Sequence, residues 1–276
     1  MSPAPVERLL SVDPSPAFWV AIAAYVAAGA VLLAVLGGYA RLRTTALALV
    51  GVAFAAHLVD IGWRGTQHVH PAQSIREAIG FLALIVTGGY LLASMRYRLT
   101  LGGAVVMPVS LVLLLLARLT PIGTEPEDVR ALSVLGRIHI SLATIGVGVF
   151  ALTSALCAIY LVEERALKKK KFGAIGFTQK NAPLEPLDRL AHRLIWVGFP
   201  IFTVALVLGA VWTSRLGESL DRIEYPLSLV TWIAFATLLV MRAAYGWRGR
   251  RAAWLTLAGF AAALLVLLAY LARRMS

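Results

Sequence analysis

Cysteine is all but missing from this chain: Cys157 stands alone, inside an apolar run. One thiol cannot form an intrachain disulfide, a C-x-x-C redox pair or a C-x-x-C-H attachment motif, which excludes a thiol oxidoreductase. Charge is also scarce. Asp, Glu, Lys and Arg make up 14% of the residues, against about 25% in soluble domains. Acidic residues are the scarcer sign, 14 against 26 basic ones, for a net charge of +12. The basic residues lie between hydrophobic runs and no nucleic-acid-binding motif accompanies them, so no nucleic acid is expected as a partner. Apolar/polar alternation of period two is absent from the apolar runs, which argues against a β-barrel. Paired carboxylates, a nucleophile–base pair and a phosphate-cradling glycine loop are missing as well. The expectation is a protein with no catalytic residues, not an enzyme.

What is present is long hydrophobic sequence. The apolar share is 59% and the mean hydropathy +0.80, the composition of a polytopic membrane protein. A hydrocarbon core takes about 20 helical residues, and eight runs are of that order, at 17–40, 44–63, 77–95, 101–118, 131–162, 192–214, 226–245 and 252–271. They predict an all-α bundle of eight transmembrane helices forming one integral membrane domain, 1–276. The first run is too long for a signal-peptide core and follows no basic stretch, so it reads as an uncleaved span. The fifth run is over-long, and its last turns, YLVEERALKKKK, are expected to project into water as helix. Pro183 and Pro186 put the next helix start at Leu187 or Asp188.

Most Lys and Arg fall in alternate connections: Arg41 and Arg43, then Arg96 and Arg98, then a basic linker at 163–191 with Lys168 to Lys171, then Arg242, Arg248, Arg250 and Arg251. The positive-inside rule makes these cytoplasmic and both termini extracytoplasmic. The linker is expected to touch anionic membrane lipid or to dock a cytoplasmic partner. The turn at 64–76 is then extracytoplasmic, with the loops at 119–130 and 215–225.

That turn belongs to the most polar stretch near a span, HLVDIGWRGTQHVHPAQSIRE at 57–77, which holds three of the five histidines. His57, Asp60, Arg64 and Gln67 fall on one face if the second helix continues. His57 lies roughly 9 Å, and His139 roughly 12 Å, below the same interface. Two imidazoles at matching depth either face each other as haem-iron ligands or hydrogen-bond separately across the bundle. Asp60 either accepts the second ring N–H of His57 or pairs with Arg64. Gly136, His139, Ala143 and Gly146 share a small-residue face, which suits a flat macrocycle or simple close packing. Arg64, Arg76 and Arg137 are placed to meet haem propionates or to anchor the interface. His68 and His70, an H-x-H pair without a third ligand, are weak evidence for Zn or Cu. His192 lies at the opposite end.

With these residues in view, the chain resembles the cytochrome c assembly protein family, haem-handling membrane proteins that include CcsA (ResC), CcmC and HemX. The resemblance covers about 45–271. It rests on His57, the H-x-H-P turn followed by SIRE, the segment GRIHISLATIGVGVFALTSALCAIYLVEERALKKK, the segment LEPLDRLAHRLIWVGFPIFTVALVLGAVW, and GWRGRRAAWLTLAGF. It implies haem b, bound non-covalently, with His57 as an intramembrane ligand and His139 as an outward-facing one. His68 or His70 would then be an exchange partner. The implied role is holding or relaying haem for c-type cytochrome biogenesis in the bacterial inner membrane, beside other cytochrome c assembly proteins. Where the family's haem-presenting members carry the motif W-G-x-x-W-x-W-D-P, this chain reads TSRLGESLDRIEYPLSLVTW, and Val240 stands at about the place of a second intramembrane histidine. That pattern resembles the HemX-like branch. It implies an alternative role, a membrane regulator of tetrapyrrole synthesis acting on glutamyl-tRNA reductase, a cytoplasmic haem-synthesis enzyme. A small-solute transporter is a further class, disfavoured because no repeated pair of Gly/Pro-broken helices marks the two halves.

Overall fold

The structure, a computed structural model, describes residues 14–97, 99–120, 134–168, 184–216 and 222–275. The regular elements among them are helical: α1 (Pro16–Leu36), α2 (Arg43–Thr66), α3 (Ile75–Arg96), α4 (Thr100–Leu119), α5 (Val134–Lys168), α6 (Leu184–Leu216), α7 (Glu224–Tyr245) and α8 (Arg250–Met275), with a short 3₁₀ turn at Ala40–Leu42. All eight are long and apolar enough to cross a membrane, as the eight apolar runs predict.

The ends differ from expectation in ways the local chemistry explains. The first helix stops at Leu36 instead of continuing to 40. Gly37 and Gly38 follow, the latter at φ 113, and break the ladder. The sixth helix begins at Leu184, before the expected Leu187 or Asp188. Pro186 falls in its first turn, where the backbone N–H has no intrahelical acceptor to lose. His192 is therefore in the third turn of α6 and not at its start. Of the expected linker at 163–191, α5 accounts for the part to Lys168 and α6 for the part from Leu184; residues 169–183 lie outside the described residues, as do 121–133 and 217–221.

The chain divides into two compact units, 1–144 and 145–276. In the first, α1 packs on α2 and α4, and α3 packs on α4 and α2. Small residues make the close approach of α1 and α2 possible: Ala21, Ala24 and Ala28 are buried on α1, and Ala46, Val50 and Ala53 on α2. The α2 stripe continues at the same helical spacing through His57 and Asp60, both buried. The polar stripe read from the sequence is thus the outer end of the packing face of α2.

In the second unit, α7 packs on α8 and on α6. Its core is Phe150, Ile195, Phe202, Phe235, Leu238 and Ala252, with the Phe150 and Phe235 rings stacked at 3.7 Å. Gly146 lets α5 come close to α6, since a Cβ there would sit 3.0 Å from the Phe202 Cβ and 3.2 Å from its Cα. At this end the small-residue face of α5 receives a neighbouring helix. Gly146→Val should lower stability by about 1–3 kcal/mol, because the Phe202 backbone cannot step aside. A detergent-denaturation midpoint equal to that of the parent protein would contradict this packing.

Candidate functional site

The His57 ring is completely buried in the first unit. Its Nδ1 is 3.0 Å from the Tyr25 hydroxyl on α1, and the two rings meet edge to face. The Tyr25 hydroxyl is also 3.0 Å from Thr87 Oγ1 on α3, which in turn lies 2.9 Å from Ser110 Oγ on α4. Four helices therefore meet at one polar chain in an otherwise apolar interior. Each member is one polar side chain in a buried position of an apolar helix, and a hydrogen bond removes the cost of burying it. His57 Nε2 is the exception: buried, with no hydrogen-bond partner. Imidazole held at one nitrogen with the other unengaged is the donor arrangement that suits a metal.

Nearer the end of α2 the stripe becomes ionic. Asp60 Oδ1 accepts from Ser15 Oγ at 2.7 Å, and Asp60 Oδ2 from Arg64 Nη2 at 2.5 Å. Arg64 Nη1 donates to both carboxylate oxygens of Glu77, at 3.1 and 2.8 Å. Two helix starts are built into this network. Ser15 caps α1, accepting from Phe18 N, with Pro16 as the first helical residue. Ser74 caps α3 and accepts from Glu77 N, so Ser74 and Glu77 have the spacing of a capping box while Glu77 spends its carboxylate on Arg64. Asp60 therefore takes the ion pair with Arg64, and the partner of the His57 ring is Tyr25.

Beside the network, Asp60, Arg64, Arg76 and Arg118 line a narrow cleft against Pro14 and Phe18, with room for little more than a water molecule. Arg76 is buried and its Nε has no hydrogen-bond partner, with Glu77 Oε1 4.0 Å away. Guanidinium groups are the commonest charged groups among the described residues that line the cleft, a setting for an acidic group.

The other expected residues are placed differently. His68 and His70 are both exposed. His68 has φ 63, with Val69 N bonded to Arg64 O and its own N to Gly65 O. That is a Schellman ending of α2 with histidine in the left-handed position usually held by glycine. His70 Nδ1 accepts from Ala72 N at 3.0 Å and its backbone N donates to Gln73 Oε1, which shapes the turn into α3. On α5, Arg137 is exposed and His139 half-buried. Among the described residues no group of three or more His, Cys, Asp and Glu could hold a metal ion by itself.

A family model described as "Cytochrome C assembly protein" matches residues 73–276. The chain belongs to the cytochrome c assembly protein family. The matched span takes in His139 but begins after His57. Curated relatives are named cytochrome c biogenesis protein CcsA. The one from Guillardia theta is 28% identical over 214 residues, 69% of this chain and 69% of the relative. The one from Prochlorococcus marinus subsp. pastoris is 28% identical over 250 residues, 80% of this chain and 76% of the relative. The one from Gloeobacter violaceus is 36% identical over a shorter stretch of 122 residues, 43% and 32% of the two chains. No solved structure matches.

As a member of the cytochrome c assembly family, and with eight apolar helices, the chain is a multi-pass membrane protein. The residues that the sequence reading missed in the first unit are Tyr25, Thr87, Ser110, Ser15, Glu77 and Arg118. Three of them had a signal. A hydroxyl or phenol alone in an apolar span, as at Tyr25, Thr87 and Ser110, demands a partner at membrane depth.

Proposed function

We propose that this chain holds haem b non-covalently within the membrane and passes it to c-type cytochrome biogenesis, with His57 and His139 as iron ligands. The observation that carries the reading is the His57 ring: fully buried, anchored at Nδ1 and unengaged at Nε2. The residues present fit haem by their chemistry. Nε2 is a buried donor without a partner, and Arg64, Arg76 and Arg118 supply positive charge at the end of the same helices. From His57 to Arg64 the rise along α2 is about 10 Å. Haem as cargo brings an iron that accepts imidazole nitrogen and two carboxylates that accept guanidinium N–H groups. Arg137, exposed two residues before His139 on α5, is a further cation for a propionate, and His68 or His70 a ligand for exchange as haem enters or leaves. The closed packing about His57 means that loading requires the surrounding helices to part.

The basic connections support an orientation with both termini extracytoplasmic. The Arg64 cleft then faces outward, and the membrane is the bacterial inner membrane. The protein works by binding and relay and not as an enzyme, alone or beside other cytochrome c assembly proteins. Detergent-purified protein is expected to show a low-spin Soret band, and His57→Ala and His139→Ala each to lose most of it. Unchanged haem content in both variants would overturn the ligand assignment.

TSRLGESLDRIEYPLSLVTW, standing where the assembly members' tryptophan-rich motif falls, favours a second reading, a HemX-like regulator of haem synthesis. Capture of glutamyl-tRNA reductase by the full chain, lost on deletion of 170–182 with haem content intact, decides for that role. Haem-dependent cytochrome c maturation without such capture decides against it.

A further inference from the structure

We infer that Tyr25 is a positioning residue that fixes the tautomer of His57, presenting Nε2 as a bare lone pair, with Thr87 setting the direction of the hydrogen bonds. The inference deepens the proposed haem site and rests on it for its consequence, though the tautomer itself stands on this chain's geometry alone.

The direction follows from counting hydroxyl protons. Thr87 Oγ1 has one, and Ala83 O at 2.9 Å, a carbonyl that can only accept, takes it. Toward Tyr25, and toward the Ser110 hydroxyl at 2.9 Å, the threonine oxygen is then an acceptor. The Tyr25 hydroxyl, 3.0 Å from that oxygen, therefore gives its only proton to Thr87. Its oxygen then has lone pairs alone to offer His57 Nδ1 at 3.0 Å. A contact of that length between two acceptors would be repulsive, so Nδ1 carries the hydrogen and donates it. A neutral imidazole has one N–H, which leaves Nε2 without a proton. Tyr25, Thr87 and His57 are each fully or nearly fully buried, so no solvent competes for these bonds. The opposite tautomer would bury an N–H at Nε2 with no acceptor, at the full cost of an unmade bond. A buried pyridine-type nitrogen is the form that binds iron without first losing a proton.

The test begins with haem-free full-length protein in detergent micelles, labelled with ¹⁵N-histidine, the His57 signals being assigned by their loss in His57→Gln. The expected result is a pyrrole-type nitrogen at Nδ1 and a pyridine-type nitrogen at Nε2. A pyrrole-type Nε2 overturns the inference whatever the haem content. Tyr25→Phe is then expected to mix the tautomers and to weaken haem affinity by about 10–100-fold, the usual effect of removing a partner that orients a ligand. Thr87→Val, which keeps the phenol but removes the acceptor that directs it, is expected to mix the tautomers as well, and it serves if Tyr25→Phe fails to fold. A correct tautomer with unaltered haem affinity in both variants refutes the positioning role while leaving His57 as ligand. A correct tautomer with haem retained in His57→Ala instead refutes the ligand assignment.

Discussion

Arg64→Met should cost the folded protein about 3–5 kcal/mol, the usual penalty for removing one partner of a buried charged pair. Arg64 serves two carboxylates at once, Asp60 at 2.5 Å and Glu77 through both oxygens. Their side chains are 2% and 12% exposed, that of Arg64 12%. Without the guanidinium, Glu77 keeps only the more distant Arg76, at 4.0 Å, and Asp60 a single neutral donor, Ser15, in a site that water scarcely reaches. The loss would appear as a lower SDS mole fraction at the unfolding midpoint, followed by circular dichroism. Removing Asp60 with its partner, as Asp60→Asn and Arg64→Met, should recover most of it, because Glu77 keeps Arg76 beside it and the cost lies in unpaired charge and not in the missing pair. A single-variant loss below about 1 kcal/mol would mean that solvent screens the network as it does on a surface.

Asp188→Ala is expected to destabilise the second unit by a comparable amount, about 3–5 kcal/mol. Asp188 Oδ1 pairs with the Arg242 guanidinium and accepts from Gly249 N at 3.1 Å. It thereby ties the second turn of α6 to the end of α7 and to the turn before α8. Gly246 and Gly249 both have positive φ in that turn, at 65 and 64, conformations that a side chain resists. The carboxylate anchors that turn at Gly249. Arg242 has a side chain only 7% exposed and would lose this carboxylate. Asp188→Asn keeps an acceptor for Gly249 and should lose about half as much. Hydrogen exchange at residues 246–253 separates the outcomes: faster exchange in the alanine variant is expected, and parent-like protection there would refute the clamp.

The eight spans were legible because hydropathy over about 20 residues reports the membrane directly. Their ends were not. Gly37 and Pro186 act through backbone detail within a single turn, which a hydropathy window averages away. In the site, the spacing of His57, Asp60 and Arg64 identified the correct face of α2, since helical period is a property of the sequence. The partners of that face lay beyond reach of spacing. Tyr25 and Thr87 come from other helices, 32 and 30 residues away in sequence from His57, and which helices meet is decided by packing. Asp60 shows the limit most clearly. One helical turn from His57, it had two plausible partners, and Ser15 and Arg64 together decided the matter. The same holds for His68, whose use as a left-handed helix terminator depends on φ and leaves no mark in composition.

The helices α1 and α2 are pinned to each other twice, by Ser15 on Asp60 and by Tyr25 on His57. One pin would leave a pair of rods free to slide or to roll about the contact. Two pins, ten residues apart on α1 and three apart on α2, forbid both motions, because either would break a bond that no water is present to replace. The pair must travel as one rigid body. An opening toward His57 that swings α3 away from that body has to break the Tyr25–Thr87 hydrogen bond and the Arg64–Glu77 ion pair together.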